Sequence, residues 1–164
     1  MDNYQEMVEL KINNLVSSLE EKTFEAFKAL LFEKVNNVHI KESNDSDLVI
    51  ISNSFTKKTS QLNDLERECK SLIMDKTTLE VVCYTYDDIL YNQDAKDYIL
   101  SNGIEDYTIQ ECFEGTLLSF YNYNGKWNVS TRSCLDAKKS FWASDKSYYD
   151  LFLDSVGISF DEFT

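Results

Sequence analysis

"ECFEGTLLSFYNYNGKWNVSTR", residues 111–132, holds two apolar and aromatic runs on either side of Asn124-Gly125. An Asn-Gly pair favours a type I′ turn, because both of its central residues take positive φ. The stretch therefore predicts a strand, a two-residue turn and a returning strand. Gly115 lies at the start of the first run, where a glycine marks a bulge or bend. Phe120 and Asn122 alternate with Tyr121 and Tyr123, so one face of the first strand is aromatic and suited to a core. Trp127 and Trp142 read as core or edge packing rather than as base-stacking platforms.

Outward from this hairpin, the residues on its C-terminal side turn helical. "SDKSYYDLFLDSV" predicts a helix starting near Ser144 or Asp145, and "SFDEFT" opens another as the chain ends. That ending reads as the N-terminal portion of a longer protein. On the other side, "QDAKDYILSNG" predicts a short helix closed by Gly103. "ECKSLIMD" and "LEVVCYTY", joined by a short turn, predict an antiparallel pair. "DLVIISNSF" is a β-branched run of the kind found in buried strands, and "NVHIKE" alternates weakly before it. "KKTSQLNDL" reads as a polar loop. Residues 3–19 and 23–35 place apolar side chains at helical spacing, with Phe24, Phe27, Leu30, Leu31 and Val35 on one face. Ser18 and Glu21 predict a capping box between these two helices. The expected class is α+β in a single domain, 1–164, helical over 1–36 and mostly antiparallel sheet with short helices over 37–164.

The 164 residues are 43% hydrophobic, enough to exclude a disordered chain. With no proline and four glycines, turns must rely on Asn, Asp and Ser. A formal charge of −13 argues against bulk nucleic-acid binding, which needs Lys and Arg for phosphate contacts. The charge is uneven: residues 126–146 carry five basic and two acidic groups, while residues 147–164 carry four acids and no base. Cys69, Cys83, Cys112 and Cys134 show no Cys-x-x-Cys spacing, and His39 is the lone histidine, so no zinc pattern is present. Cysteines in apolar runs read as buried free thiols in a reducing, intracellular setting, the cytoplasm. No apolar run reaches the ~18 residues of a membrane span.

Three stretches carry a more specific pattern. Glu68-Cys69-Lys70-Ser71-Leu72-Ile73-Met74 comes first, then Leu90-Tyr91-Asn92 after "VVCYTYDDI", then Cys112-Phe113-Glu114-Gly115-Thr116-Leu117. In this order they resemble the adenylation domain of ATP-dependent RNA ligases of the bacteriophage RNA-repair type, within the covalent nucleotidyltransferase superfamily. The resemblance covers roughly residues 45–160. It implies that Lys70 stands where the family has an arginine that assists nucleotide chemistry, and that Asn92 closes a Phe-Phe-Asn-like motif. The family's lysine in that motif falls on Ile89, and its Arg-Pro on Thr85-Tyr86. It also implies that Cys112 stands where the family has its nucleophilic lysine, followed by Glu114 in place of Asp and by the retained Gly115. Lys70, Gly115 and Asn92 would then be nucleotide-binding residues. Arg132, in Ser130-Thr131-Arg132-Ser133, would face substrate, with Lys138 and Lys139 on RNA or phosphate. ATP and Mg²⁺ are the cofactors that the resemblance implies.

In such ligases a lysine amine attacks the α-phosphate of ATP and forms a lysyl–AMP phosphoramidate. Cys112 cannot form that linkage, and the acidic neighbours Glu111 and Glu114 would hold a thiol in its protonated form. The expected function is a catalytically degenerate RNA ligase-like nucleotidyltransferase domain that binds nucleotide or RNA. Two alternatives stay open on the sequence alone. One is a non-catalytic interaction module on the same fold, whose acidic surface binds a basic protein partner. The other is an unrelated α+β domain.

Overall fold

The computed structural model describes residues 9–53, 62–87, 89–103, 105, 108, 110–111, 114–143 and 145–164. Cys112, and Ser144 as a helix start, lie outside the described residues, as do residues 57–61 of the polar loop.

Two helices open the fold, α1 (Lys11–Ser17) and α2 (Phe24–Lys34). The capping box expected from Ser18 and Glu21 does not form. Ser18 instead ends α1, and its hydroxyl donates to the Leu15 carbonyl at 2.7 Å. The chain re-enters a helix only at Phe24, so Thr23 is the cap and accepts the Ala26 N–H.

The β-branched run becomes the spine of a four-stranded antiparallel sheet. Its strands are β1 (Val38–Glu42), β2 (Leu48–Asn53), β3 (Leu72–Asp75) and β4 (Val81–Cys83), in the order β1-β2-β3-β4. Every residue of β2 is buried, because both sheet faces are covered. Val49, Ile51, Leu72 and Met74 pack with Ile12, Phe27, Leu31 and Val35 beneath the N-terminal helices. On the other face Leu48, Ile50 and Ile73 meet Tyr121. Between β2 and β3 lies a helix that the sequence reading did not anticipate, α3 (Asp64–Glu68), opened by a capping box between Asn63 and Glu66. Glu68 therefore ends a helix and not a strand, and β3 starts only at Leu72.

After β4 comes α4 (Asn92–Asn102), which buries none of its residues and stops at Gly103 with φ 78°. The expected hairpin is present as β5 (Leu118–Tyr123) and β6 (Lys126–Thr131). Asn124 and Gly125 both take positive φ, 52° and 75°, which is the primed-turn geometry the pair predicts. One hairpin face carries Ser119, Tyr121, Asn128 and Ser130 towards the sheet, since Tyr121 packs on Ile50 and Ile73. The opposite face carries Phe120, whose ring lies 4.9 Å from Phe152 and 5.2 Å from Phe163 between centroids. Those phenylalanines belong to α5 (Tyr148–Val156) and α6 (Phe160–Phe163). Helix α5 starts later than Ser144 or Asp145, because Ser147 supplies a capping box with Asp150. The α+β class holds: helices, a four-stranded sheet, a two-stranded ribbon and further helices are stacked in that order.

Candidate functional site

The sheet and the hairpin enclose a polar end. Apolar contact between them centres on Leu48, Ile50, Ile73 and Tyr121. One step further along each strand the chemistry changes to hydroxyls. Ser52 follows Ile50 on β2, Ser71 precedes Ile73 beside β3, and Thr85 follows Cys83. From the hairpin, Ser119 and Ser130 stand directly opposite one another across the ladder. The hydroxyls of Ser71, Thr85, Ser119 and Ser130 are buried and find no hydrogen-bond partner among the described residues. A buried polar atom without a partner costs about 1–3 kcal/mol, so four in one place call for an explanation.

Two cations flank these hydroxyls. Continuing the β2–β3 register two residues beyond Ile51 and Leu72 sets Asn53 across from Lys70. Arg132, just past β6, donates from Nη2 to the Asn53 Oδ1, while the Asn53 Nδ2 donates to the Glu66 carbonyl at 3.0 Å. Lys70 is only 6% exposed, and its ammonium stands 4.6 Å from the centroid of Tyr86. A buried ammonium needs partners, and an aromatic face with its negative potential is one of them. Positive charge thus stands beside the buried hydroxyls of the sheet–hairpin interface, referred to below as the chamber, a combination that suits a polar, anionic ligand.

Three buried carboxylates tie the surrounding elements together: Glu66 and Glu68 on α3, and Asp75 at the far end of β3. Glu66 Oε1 accepts from the backbone N–H of Asn36 and Asn37 and from the Asn37 side chain, and its Oε2 accepts from the Asn63 N–H. Burial pulls its pKa upward, yet these donors hold it below the usual carboxylate value. Glu68 accepts from the N–H groups of Lys11 and Ile12, each at 2.7 Å, and so caps α1 from a distance; here burial prevails and its pKa is raised. Asp75 accepts the Tyr123 hydroxyl at 2.6 Å and the N–H of Thr77 and Thr78. Burial raises its pKa, but these bonds bring it below the usual value. Tyr121, beneath the hairpin, has its pKa pushed up to about 12 by burial.

A second, open groove of about 290 Å³ runs along the outer edge of β6. Lys126, Trp127, Lys138, Lys139 and Tyr149 contribute to its walls. Trp127 is 41% and Trp142 74% exposed, so of the core or edge packing expected for them the core is excluded. Trp127 sits near the turn end of the ribbon's second strand, lining the groove with Tyr149 of α5 and Phe160 of α6.

The sequence-derived candidates divide between these places. Arg132 bonds Asn53 and Lys70 stands over Tyr86, both beside the buried hydroxyls. Lys138 and Lys139 line the outer groove, where Lys139 pairs with Asp45 at 3.4 Å and Lys138 stands 4.5 Å from the Tyr149 centroid. Glu114 and Gly115 are exposed ahead of β5, and a Cβ on Gly115 would meet open space. Asn92 is exposed at the first turn of α4. Cys112 lies outside the described residues. Among the described residues no cluster of three or more His, Cys, Asp or Glu could hold a metal, and no helix is long and apolar enough to cross a membrane. The serine hydroxyls escaped sequence reasoning because serine is ordinary in strands; only the pairing of Ser119 with Ser130 on an otherwise aromatic ladder hinted at them.

Comparison with known proteins gives three viral relatives. The chain is similar to a putative bifunctional polynucleotide kinase/RNA ligase of Autographa californica nuclear polyhedrosis virus, 28% identical over 128 residues, covering 73% of this chain and 18% of that protein. It is also similar to immediate-early protein ICP-46 homologues of two invertebrate iridescent viruses. That of Invertebrate iridescent virus 6 is 34% identical over 89 residues, covering 54% of this chain and 16% of the relative. That of Invertebrate iridescent virus 3 is 29% identical over 121 residues, covering 66% and 27%. The chain thus spans about a quarter or less of the length of these curated relatives. No protein-family model and no solved structure matches. The similarity supports a relationship to viral RNA ligase-type proteins.

Proposed function

We propose that this chain is a nucleotidyltransferase-like domain of RNA ligase ancestry that binds a nucleotide between its sheet and its hairpin without labelling itself. The observation that carries this reading is the set of four buried hydroxyls without a partner among the described residues, on Ser71, Thr85, Ser119 and Ser130, at the sheet–hairpin interface beside Lys70 and Arg132. Hydroxyls donate to and accept from ribose and phosphate oxygens alike, and the two cations supply charge complementarity. Ligase kinship, supported by the viral relative, makes ATP the nucleotide of choice. Magnesium would come in largely on the phosphates, which commonly supply much of its coordination. Cys112 stands at the family's lysine position and Glu114 two residues later. A thiol there yields no phosphoramidate, and binding is then the whole of the activity.

Calorimetric titration with ATP and Mg²⁺, followed by intact-mass measurement, tests this. Saturable binding with no added mass is the expected result. An AMP adduct on any residue overturns the non-covalent reading, and absence of binding removes the nucleotide site. A second reading, a non-catalytic module that binds a basic protein, draws on the −13 charge and on Ile99 and Leu100, which α4 leaves 45% and 73% exposed. A cationic protein partner captured with a salt-sensitive affinity, in a chain that ignores ATP, would favour it.

A further inference from the structure

The hairpin adheres to the sheet unevenly along its length. Three residues of β5 face the sheet, Tyr123 beside the turn, then Tyr121, then Ser119. Tyr123 donates its hydroxyl to Asp75 at 2.6 Å, and the N–H groups of Thr77 and Thr78 fix that carboxylate in place. A bond to an ionised, oriented acceptor is a strong one. Tyr121 packs on Ile50 and Ile73. At the base of the hairpin, Ser119 and Ser130 carry buried hydroxyls into the same interface as Ser71 and Thr85, and none of the four finds a partner among the described residues. Closure is opposed there, because water would satisfy each hydroxyl that the closed hairpin leaves unpaired. Two described bonds tie the base down: Arg132 donates to the uncharged Asn53 Oδ1, and Lys41 Nζ donates to the Ser133 carbonyl at 3.0 Å, in contact with solvent.

We propose that the β5–β6 hairpin is a lid, hinged at Tyr123–Asp75 and latched at Arg132–Asn53, that lifts from its base to admit a ligand to the chamber. The four hydroxyls are closed off from solvent in this fold, so nothing reaches them unless an element moves. The latch is built to yield. An amide oxygen is a neutral acceptor, whereas an anion offers a guanidinium charge-assisted bonds about twice as strong. An entering anion therefore takes over Arg132 as the latch breaks, while Asn53 keeps its place through its bond to the Glu66 carbonyl. The hinge has no such exchange available, since its acceptor is already a carboxylate held from the other side by two N–H groups. The opening follows from the uneven adhesion of the hairpin; that the admitted ligand is a nucleotide rests on the reading above.

The test is maleimide labelling of the 164-residue chain with Ser130→Cys, read peptide by peptide by mass. Position 130 is fully buried at the base of the lid, and Cys69, equally buried in the core beneath the N-terminal helices, reports global unfolding. Each rate is referred to that of the same thiol in the urea-denatured chain. Position 130 should label at least about tenfold faster than Cys69 under native conditions. Asn53→Ala should raise that ratio at least about threefold. Asn53→Asp, which makes the latch an ion pair, should lower it by about as much, and Tyr123→Phe should change it less than either. Ser119→Cys should give the same pattern from the facing strand, and replaces Ser130→Cys if that chain does not fold. Graded labelling in a chain that ignores ATP would support the lid and sink the nucleotide reading alone. Equal rates at position 130 and Cys69, a ratio indifferent to both Asn53 variants, or a larger response to Tyr123→Phe than to Asn53→Ala overturns the lid.

Discussion

Glu66 and Glu68 show how much a single side chain does here. Both sit on the one-and-a-half turns of α3, yet they serve different ends of the molecule: Glu66 gathers the chain entering β1, and Glu68 caps α1. Neither role is legible in "NDLERECK". The Asn63-x-x-Glu66 spacing carries a capping signal, but its polar surroundings read as loop. Glu66→Gln puts a donor where only acceptors fit. It should cost about 2 kcal/mol in urea unfolding, in the range of hydrogen bonds to charged groups. Because the folded pKa of Glu66 lies below its ordinary value, its contribution is complete above the usual carboxylate range and fades as pH falls through the folded value. The variant's deficit should therefore shrink on acidification. Ser130→Ala should move the other way, adding about 1 kcal/mol of stability by deleting a partnerless buried hydroxyl while weakening ATP binding. A loss of stability instead would mean that the hydroxyl is satisfied within the protein.

At the scale of elements, the hairpin was the most legible part, because its information is local. Asn124-Gly125 dictates the turn, and two residues of positive φ leave no other register. Gly125→Val should destabilise by about 1–2 kcal/mol in chemical denaturation, the usual penalty of a left-handed conformation for a residue with a Cβ. β2 was legible for a different reason: a run of Leu, Val and Ile with no polar break is what a strand covered on both faces requires. Helix α3 and the late start of α5 were hidden because short helices are decided by caps more than by periodicity. The start of the "ECKSLIMD" strand shifted to Leu72 for that reason. The candidate site was half legible. Charged residues such as Lys70 and Arg132 announce themselves in a motif, whereas the meeting of two serine ladders exists only once sheet and ribbon are stacked.

For the whole molecule, charge is the controlling quantity. The sequence pI is about 4.4 against a formal −13 at neutral pH. Lowering pH towards 4.4 removes the mutual repulsion that keeps copies apart, and then protonates Glu66 and Asp75, both held ionised by donors in the fold. Glu68, with its raised pKa, partly offsets the loss, since its ionised form is the costly one. Circular dichroism and light scattering between pH 7 and pH 4 should show association first and cooperative unfolding after it; unfolding without prior association would argue that the carboxylates, and not net charge, come first.

Glu68 reaching back to Lys11 and Ile12 has a practical corollary. Trimming the chain to what looks like a minimal nucleotide-binding fragment would strip two amide donors from a carboxylate that is buried in the intact fold. Cys69 and Lys70 follow Glu68 directly, so the loss acts next to a proposed nucleotide-binding lysine. A shortened fragment that ignored ATP would thus report damage inflicted from the rear, and a negative result obtained with it should be discounted.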